Sequence, residues 1–160
     1  MFSTLRAIFI ATSMGVLASL PAGASDVILT IDGEIASSTP IDMTVDDLES
    51  IGSTTIVTKT PWHDAVVTFE GVSLAALLEK VGAKGDTLAI VALNNYRSEL
   101  PIEDIETYGL ILALKQDGAY MPVSDKGPLF VVYPFDADPA LNNEVYFARS
   151  AWQVRSITVE

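Results

Sequence analysis

Few side chains in this 160-residue sequence could do chemistry, and the densest group lies in residues 58–78, TKTPWHDAVVTFEGVSLAALL. It holds the only histidine, His63, beside one of the two tryptophans, Trp62, in a short loop after Thr60-Pro61. An indole offers a flat stacking face, and an imidazole offers a hydrogen bond or a proton near neutral pH. His63 has no near-sequence carboxylate except Asp64, so the pair reads either as the floor of a binding site or as a core cap followed by an exposed loop residue. Cysteine is absent, which excludes a thiolate nucleophile, a zinc–thiolate site and an iron–sulfur cluster. Asp46, Asp47 and Glu49 resemble a ligand cluster, but at the start of a short helix they are favoured by its dipole and solvated. Arg97 and Arg149 sit next to Tyr96 and Phe147, on expected loops between apolar strands; a planar guanidinium there suits a carbonyl or phosphate oxygen, or an ordinary surface ion pair. No residue is assigned a catalytic role and none a metal.

Nine Lys+Arg stand against 21 Asp+Glu, a formal net charge of −12. Such a surface repels nucleic acid and anionic lipid headgroups. Arg6 is the only charge before Asp26, an apolar run over residues 7–20 follows, and Ala22-Gly23-Ala24 supplies small residues for cleavage. Residues 1–24 are therefore expected to be a secretory signal peptide, the apolar run being shorter than the roughly 20 residues that span a bilayer. The expected product is a soluble exported domain over residues 25–160, periplasmic in a Gram-negative cell and with no membrane insertion of its own. A chain of that length can bury a core without disulfides.

The elements that must position these groups follow from pattern. Residues 27–31 alternate as a strand before an Asp32-Gly33 turn, residues 37–40 are loop, and Thr44 with Asp47 forms a capping box for a short helix over 45–50. Strands are expected at 54–59 and 65–69, with Gly71 turning the chain and Ser73 capping a helix whose Leu74, Leu77, Leu78 and Val81 form one apolar stripe ended by Gly82. A strand over 87–93, buried on both faces, delivers Asn94, Asn95, Tyr96 and Arg97 to a loop. Pro101 opens a second acidic helix over 102–107 as its first residue. Residues 110–114 and 119–122 flank an Asp117-Gly118 hairpin turn, 129–133 is an apolar strand, 134–143 a polar loop, and 151–159 the closing strand, with Trp152 in the core. The fold class is α+β: one domain of mixed strands with short helices.

Four segments, FEGVSLAALLEKVGA, ALNNYRSELPIED, ALKQDGAYMPVSDKGPLFVVYPF and RSAWQVRSITV, in that order, resemble the oxidoreductase molybdopterin-binding domain family, which has the sulfite oxidase-like fold. The likeness runs from Val27 to Val159. Members bind the pterin of the molybdenum cofactor and ligate molybdenum through a cysteine in the loop after the strand matching residues 54–59. Here that segment is Val57-Thr58-Lys59-Thr60-Pro61-Trp62, and a hydroxyl does not replace a soft thiolate on a high-valent oxo-metal centre. The resemblance is then closest to small exported regulators that bind a free pterin, without metal, and report it to a membrane-bound cyclic-di-GMP enzyme controlling biofilm formation.

A pterin is a flat bicycle with a donor edge and an acceptor at O4, so it asks for a stacking face and a few convergent polar groups. The resemblance implies Trp62 for the face, Arg97 or Arg149 for an oxygen, and Lys126 with Ser124 and Asp125 in the family's cofactor-contact region. Asp125 or Asp136 would take the donor edge. Asn95 and Tyr96 match a segment where members carry Asp-Gly-Tyr; Thr60 and His63 are further candidates. Three functions stay open: a pterin-binding sensor, a molybdopterin-dependent oxidoreductase, and a structural or interaction protein that keeps the fold without the ligand.

Overall fold

The computed structural model describes residues 26–160, and the expected signal peptide lies outside the described residues. Two five-stranded sheets carry the domain. The first runs β2 (Ile41–Met43), β1 (Leu29–Gly33), β10 (Val154–Val159), β5 (Thr87–Ala92) and β6 (Arg97–Pro101), antiparallel except for the parallel β1–β10 pair. The second runs β3 (Thr54–Thr58), β4 (Val67–Ser73), β7 (Ile111–Gln116) and β8 (Ala119–Tyr120), with β9 (Phe130–Val132) also on β7. Among the described residues four short α-helices join them: α1 (Val45–Ile51), α2 (Leu74–Val81), α3 (Ile102–Tyr108) and α4 (Glu144–Arg149).

Strand alternation explains why β9 and the first four residues of β7 are apolar. Leu112 and Leu114 of β7 and Val131 of β9 face a main core shared with β1, β5, β10 and α2, whereas Ile111, Ala113, Phe130 and Val132 face a second core on the opposite side of the sheet. The α2 stripe, Leu74, Leu77, Leu78 and Val81, enters the main core as its period requires, and Gly82 ends the helix in the left-handed conformation with φ 65°. Thr44 and Asp47 form the expected capping box on α1.

Several expectations are corrected. Gly71 does not turn the chain: β4 runs through it to Ser73, since a Cβ there would lie 2.1 Å from the Leu112 carbonyl oxygen, and glycine lets β7 approach at a register shift. Ser73 stands at the N-cap of α2 without a capping hydrogen bond from its side chain. β1 ends at Gly33 as the turn signal implies, and after a loop β2 returns antiparallel to it. Thr87 and Ala89 of β5 are half-exposed, so that strand is buried on both faces only at its end. Arg97 opens β6 instead of lying in a loop, and Pro101 stands at the N-cap of α3, one position earlier than expected. Residues 144–149, which hold Arg149, are helical, and Trp152 lies outside β10, joined to Phe130 by an isolated bridge.

Candidate functional site

The loop between β3 and β4 is held by buried hydroxyls. Thr60, 2% exposed, shares a 2.5 Å hydrogen bond with His63 Nδ1 and accepts the Trp62 N–H at 3.3 Å, while the His63 N–H bonds the Thr60 carbonyl. Thr58, fully buried, accepts the Asp136 N–H through its Oγ1, and Asp136 in return accepts the Lys59 N–H at 2.7 Å. These bonds pin the first half of the loop and set the indole of Trp62 at the junction of the two cores. There it meets Trp152, Phe130, Phe147 and Phe135 edge-to-face at centroid distances of 5.1, 5.9, 6.1 and 6.4 Å.

Beside this cluster opens a cleft of ≈190 Å³ lined by Trp62, Asn94, Tyr96, Phe147, Ser150, Ala151 and Trp152. Its walls come from three places: the β3–β4 loop, the β5–β6 hairpin, and the end of α4 with the segment before β10. The hairpin is shaped by Asn94 Oδ1, which accepts the Tyr96 N–H, and by Asn95 in the left-handed conformation at φ 66°, its Oδ1 accepting from Arg155. Tyr96 Oη and Ser98 Oγ both donate to the Ala148 carbonyl, which ties the hairpin to α4. Four aromatic side chains, two small ones and one amide line the cleft, and none of the seven is charged. The volume falls below the roughly 300–1,000 Å³ of sites that engulf drug-sized ligands, and so suits one flat ring system bound between aromatic faces.

The cleft thus gathers Trp62 and Tyr96 from the expected residues and adds Asn94, Phe147, Ser150, Ala151 and Trp152. The rest lie elsewhere. Arg97 and Arg149 line a separate open groove beside β6 and α4, on the far side of Tyr96. The Arg149 guanidinium is held at 2.8 Å by Asp104, a buried carboxylate that also accepts the Tyr133 hydroxyl at 2.6 Å. Burial and that carboxylate push the Tyr133 hydroxyl far up, so it stays a donor. Ser124, Asp125 and Lys126 form a turn after Met121; Lys126 is in the left-handed conformation, pairs with Asp125 at 3.1 Å, and accepts the Gln153 N–H, one residue from Trp152. Asn95 and Asp136 are committed to the structural bonds already named.

His63 turns away from the cleft and packs on Phe69 in the second core, at 5.5 Å. Its Nε2 is buried without a hydrogen-bond partner, and so is Oε1 of Gln116 nearby. Burial lowers its pKa, the Lys126 ammonium lowers it further, and Gln116, Asp125 and Asp117 oppose the shift more weakly. Trp152 was hidden in the sequence because alternation assigns an aromatic in a closing strand to the core, and Phe147 because the short helix that carries it has no periodic signal in the sequence. The one available signal was Trp152's position at the irregular start of that strand, where alternation breaks.

The donors of a soft-metal site are missing from this arrangement: the sequence has no cysteine, and among the described residues no group of three or more His, Cys, Asp or Glu side chains could hold a metal ion. A comparison with curated proteins finds no match. Among solved structures the chain is similar to the sulfane dehydrogenase SoxCD from Paracoccus pantotrophus, with a TM-score of 0.60 at 20% identity, over 82% of this chain and 37% of that one. The chain thus spans little more than a third of that protein's chain, and the likeness shows the shared sulfite oxidase-like fold. The model of the oxidoreductase molybdopterin binding domain matches residues 18–159, nearly the whole sequence, and the chain belongs to that family.

Proposed function

We propose that the protein binds a free pterin in the Trp62–Trp152 cleft and acts as a sensor rather than as an oxidoreductase. The observation that carries this is the cleft itself: uncharged and walled by four aromatic rings, with the Asn94 amide on its lining for a heterocycle's polar edge, while the Ser150 hydroxyl donates to the Tyr146 carbonyl. The residues do not fit the molybdenum of the family's cofactor. In the segment where the family places its cysteine, the hydroxyls of Thr58 and Thr60 are buried and bound to Asp136, His63 and Trp62, and neither is a soft ligand. Export to the periplasm, as the N-terminal sequence implies, would put the loaded protein within reach of the periplasmic domain of a membrane cyclic-di-GMP enzyme. The second reading, a molybdopterin-dependent oxidoreductase, draws on the family itself.

Metal analysis and ligand fluorescence on protein purified from its native host test both readings. The expected result is a pterin released on denaturation with no stoichiometric molybdenum. A full complement of molybdenum overturns the proposal, as does an empty protein with no affinity for oxidised or reduced pterins.

A further inference from the structure

The polar groups lining the cleft differ in what they still offer a ligand. Asn94 Oδ1 accepts the Tyr96 N–H at 2.9 Å, and because a backbone N–H can only donate, that bond fixes which way round the amide stands. Its Nδ2 is the end left over, with two N–H donors and no partner among the described residues. Turning the amide over would set its NH2 against the Tyr96 N–H and break the turn that shapes the hairpin. The Tyr96 and Ser150 hydroxyls each give their proton to a main-chain carbonyl, of Ala148 and Tyr146, both at 2.9 Å. The indole nitrogens of Trp62 and Trp152 can only donate. None of the seven lining residues is a carboxylate: Asp136 is held by the Lys59 N–H and Asp125 by Lys126, both outside the lining.

We propose, resting on the reading of this cleft as a pterin site, that Asn94 sets its specificity by donating from Nδ2 to the 4-oxo acceptor of the ring, while the 2-amino donor edge is not read. A carboxylate would grip that donor edge with charge-assisted bonds about twice as strong as neutral ones. Here the hydroxyl oxygens of Tyr96 and Ser150 are the lining side chains' neutral acceptors, so exchanging the 2-amino group for an oxygen costs little. Exchanging the 4-oxo group for an amino group sets donor against donor and leaves the Asn94 N–H and the ligand N–H both unpaired. The ligand class is accordingly a flat bicycle that carries the 4-oxo group, 2,4-dioxo lumazines included and 2,4-diaminopteridines excluded.

Calorimetric titration of the full exported chain with pterin, lumazine and 2,4-diaminopteridine tests this. Pterin and lumazine should bind within about threefold of one another, and the diamino compound at least about tenfold more weakly. Asn94→Asp keeps an oxygen for the Tyr96 N–H and replaces the free donor by an acceptor. It should weaken pterin and lumazine at least about tenfold and put the diamino compound first, at a denaturation midpoint close to wild type. The wild-type ranking decides the matter by itself if that variant does not fold. Lumazine far weaker than pterin, a diamino compound as tight as pterin, or a folded Asn94→Asp protein with the wild-type ranking overturns the role of Asn94 and leaves the pterin reading standing. Failure of all three compounds to bind overturns both.

Discussion

Trp62 and Trp152 meet at 5.1 Å and line the same cleft, yet they reach it from segments 90 positions apart in sequence. If both stack on a bound ring, Trp62→Ala and Trp152→Ala should each weaken pterin affinity by about 1–3 kcal/mol, by analogy with aromatic–base stacking, and Trp62→Phe should recover part of the loss. Equal affinity in folded Trp62→Ala, measured by calorimetric titration, would remove that residue from the site. His63 belongs to a different account. Burial, reinforced by Lys126, holds its pKa below the ordinary 6.5, so the unfolded chain takes up the proton more readily than the native one. Stability is therefore full above the unfolded pKa, falls as pH drops through 6.5, and stops falling once pH is below the native value. His63→Gln should remove this part of the stability–pH curve, read from denaturant midpoints between about pH 5 and 7.5. An unchanged slope in the variant would assign it to carboxylates instead.

Among the elements, those with a strong local signal form as their sequence predicts. The α2 stripe, the Thr44–Asp47 capping box and the Asp117-Gly118 turn, with φ of 48° and 82°, each rest on neighbours three or four residues away at most. β6 and α4 escaped because their reasons are distant. Arg97–Pro101 is a strand because β5 pairs with it, and Glu144–Arg149 is a single short helix started by Asn143 accepting the Val145 N–H and packed against β6. Gly71 shows the same limit: glycine reads as a turn locally, whereas here it admits the β7 backbone. Gly71→Ala should cost about 1–3 kcal/mol or more, since the new Cβ would overlap the Leu112 carbonyl. A chemical denaturation midpoint equal to wild type would mean that β4 and β7 part without strain.

At the scale of the whole molecule, charge sets which ligand can enter. The cleft lining is neutral, but the chain carries −12, so a phosphorylated pterin approaches against the field of the protein and a neutral one does not. Affinity for a pterin phosphate should accordingly rise as salt increases from about 0.01 to 0.15 M, over which the screening length shortens from about 30 to 8 Å, while affinity for neutral pterins stays flat. Falling affinity for the phosphate would instead point to direct contact with Arg97, Lys126 or Arg155. The sequence by itself determined the fold class, most elements of the two sheets, the missing thiolate and the net charge, because these depend on composition or on short-range periodicity. Of the cleft's lining it named Trp62, from its loop position, and Tyr96, through the family resemblance. Only the tertiary structure decided that Trp152, Phe147 and Asn94 join them, that Arg149 is spent on Asp104, and that His63 faces the second core. A cleft is made where separate segments converge, and which faces converge is set by packing two sheets together rather than by any one stretch of chain.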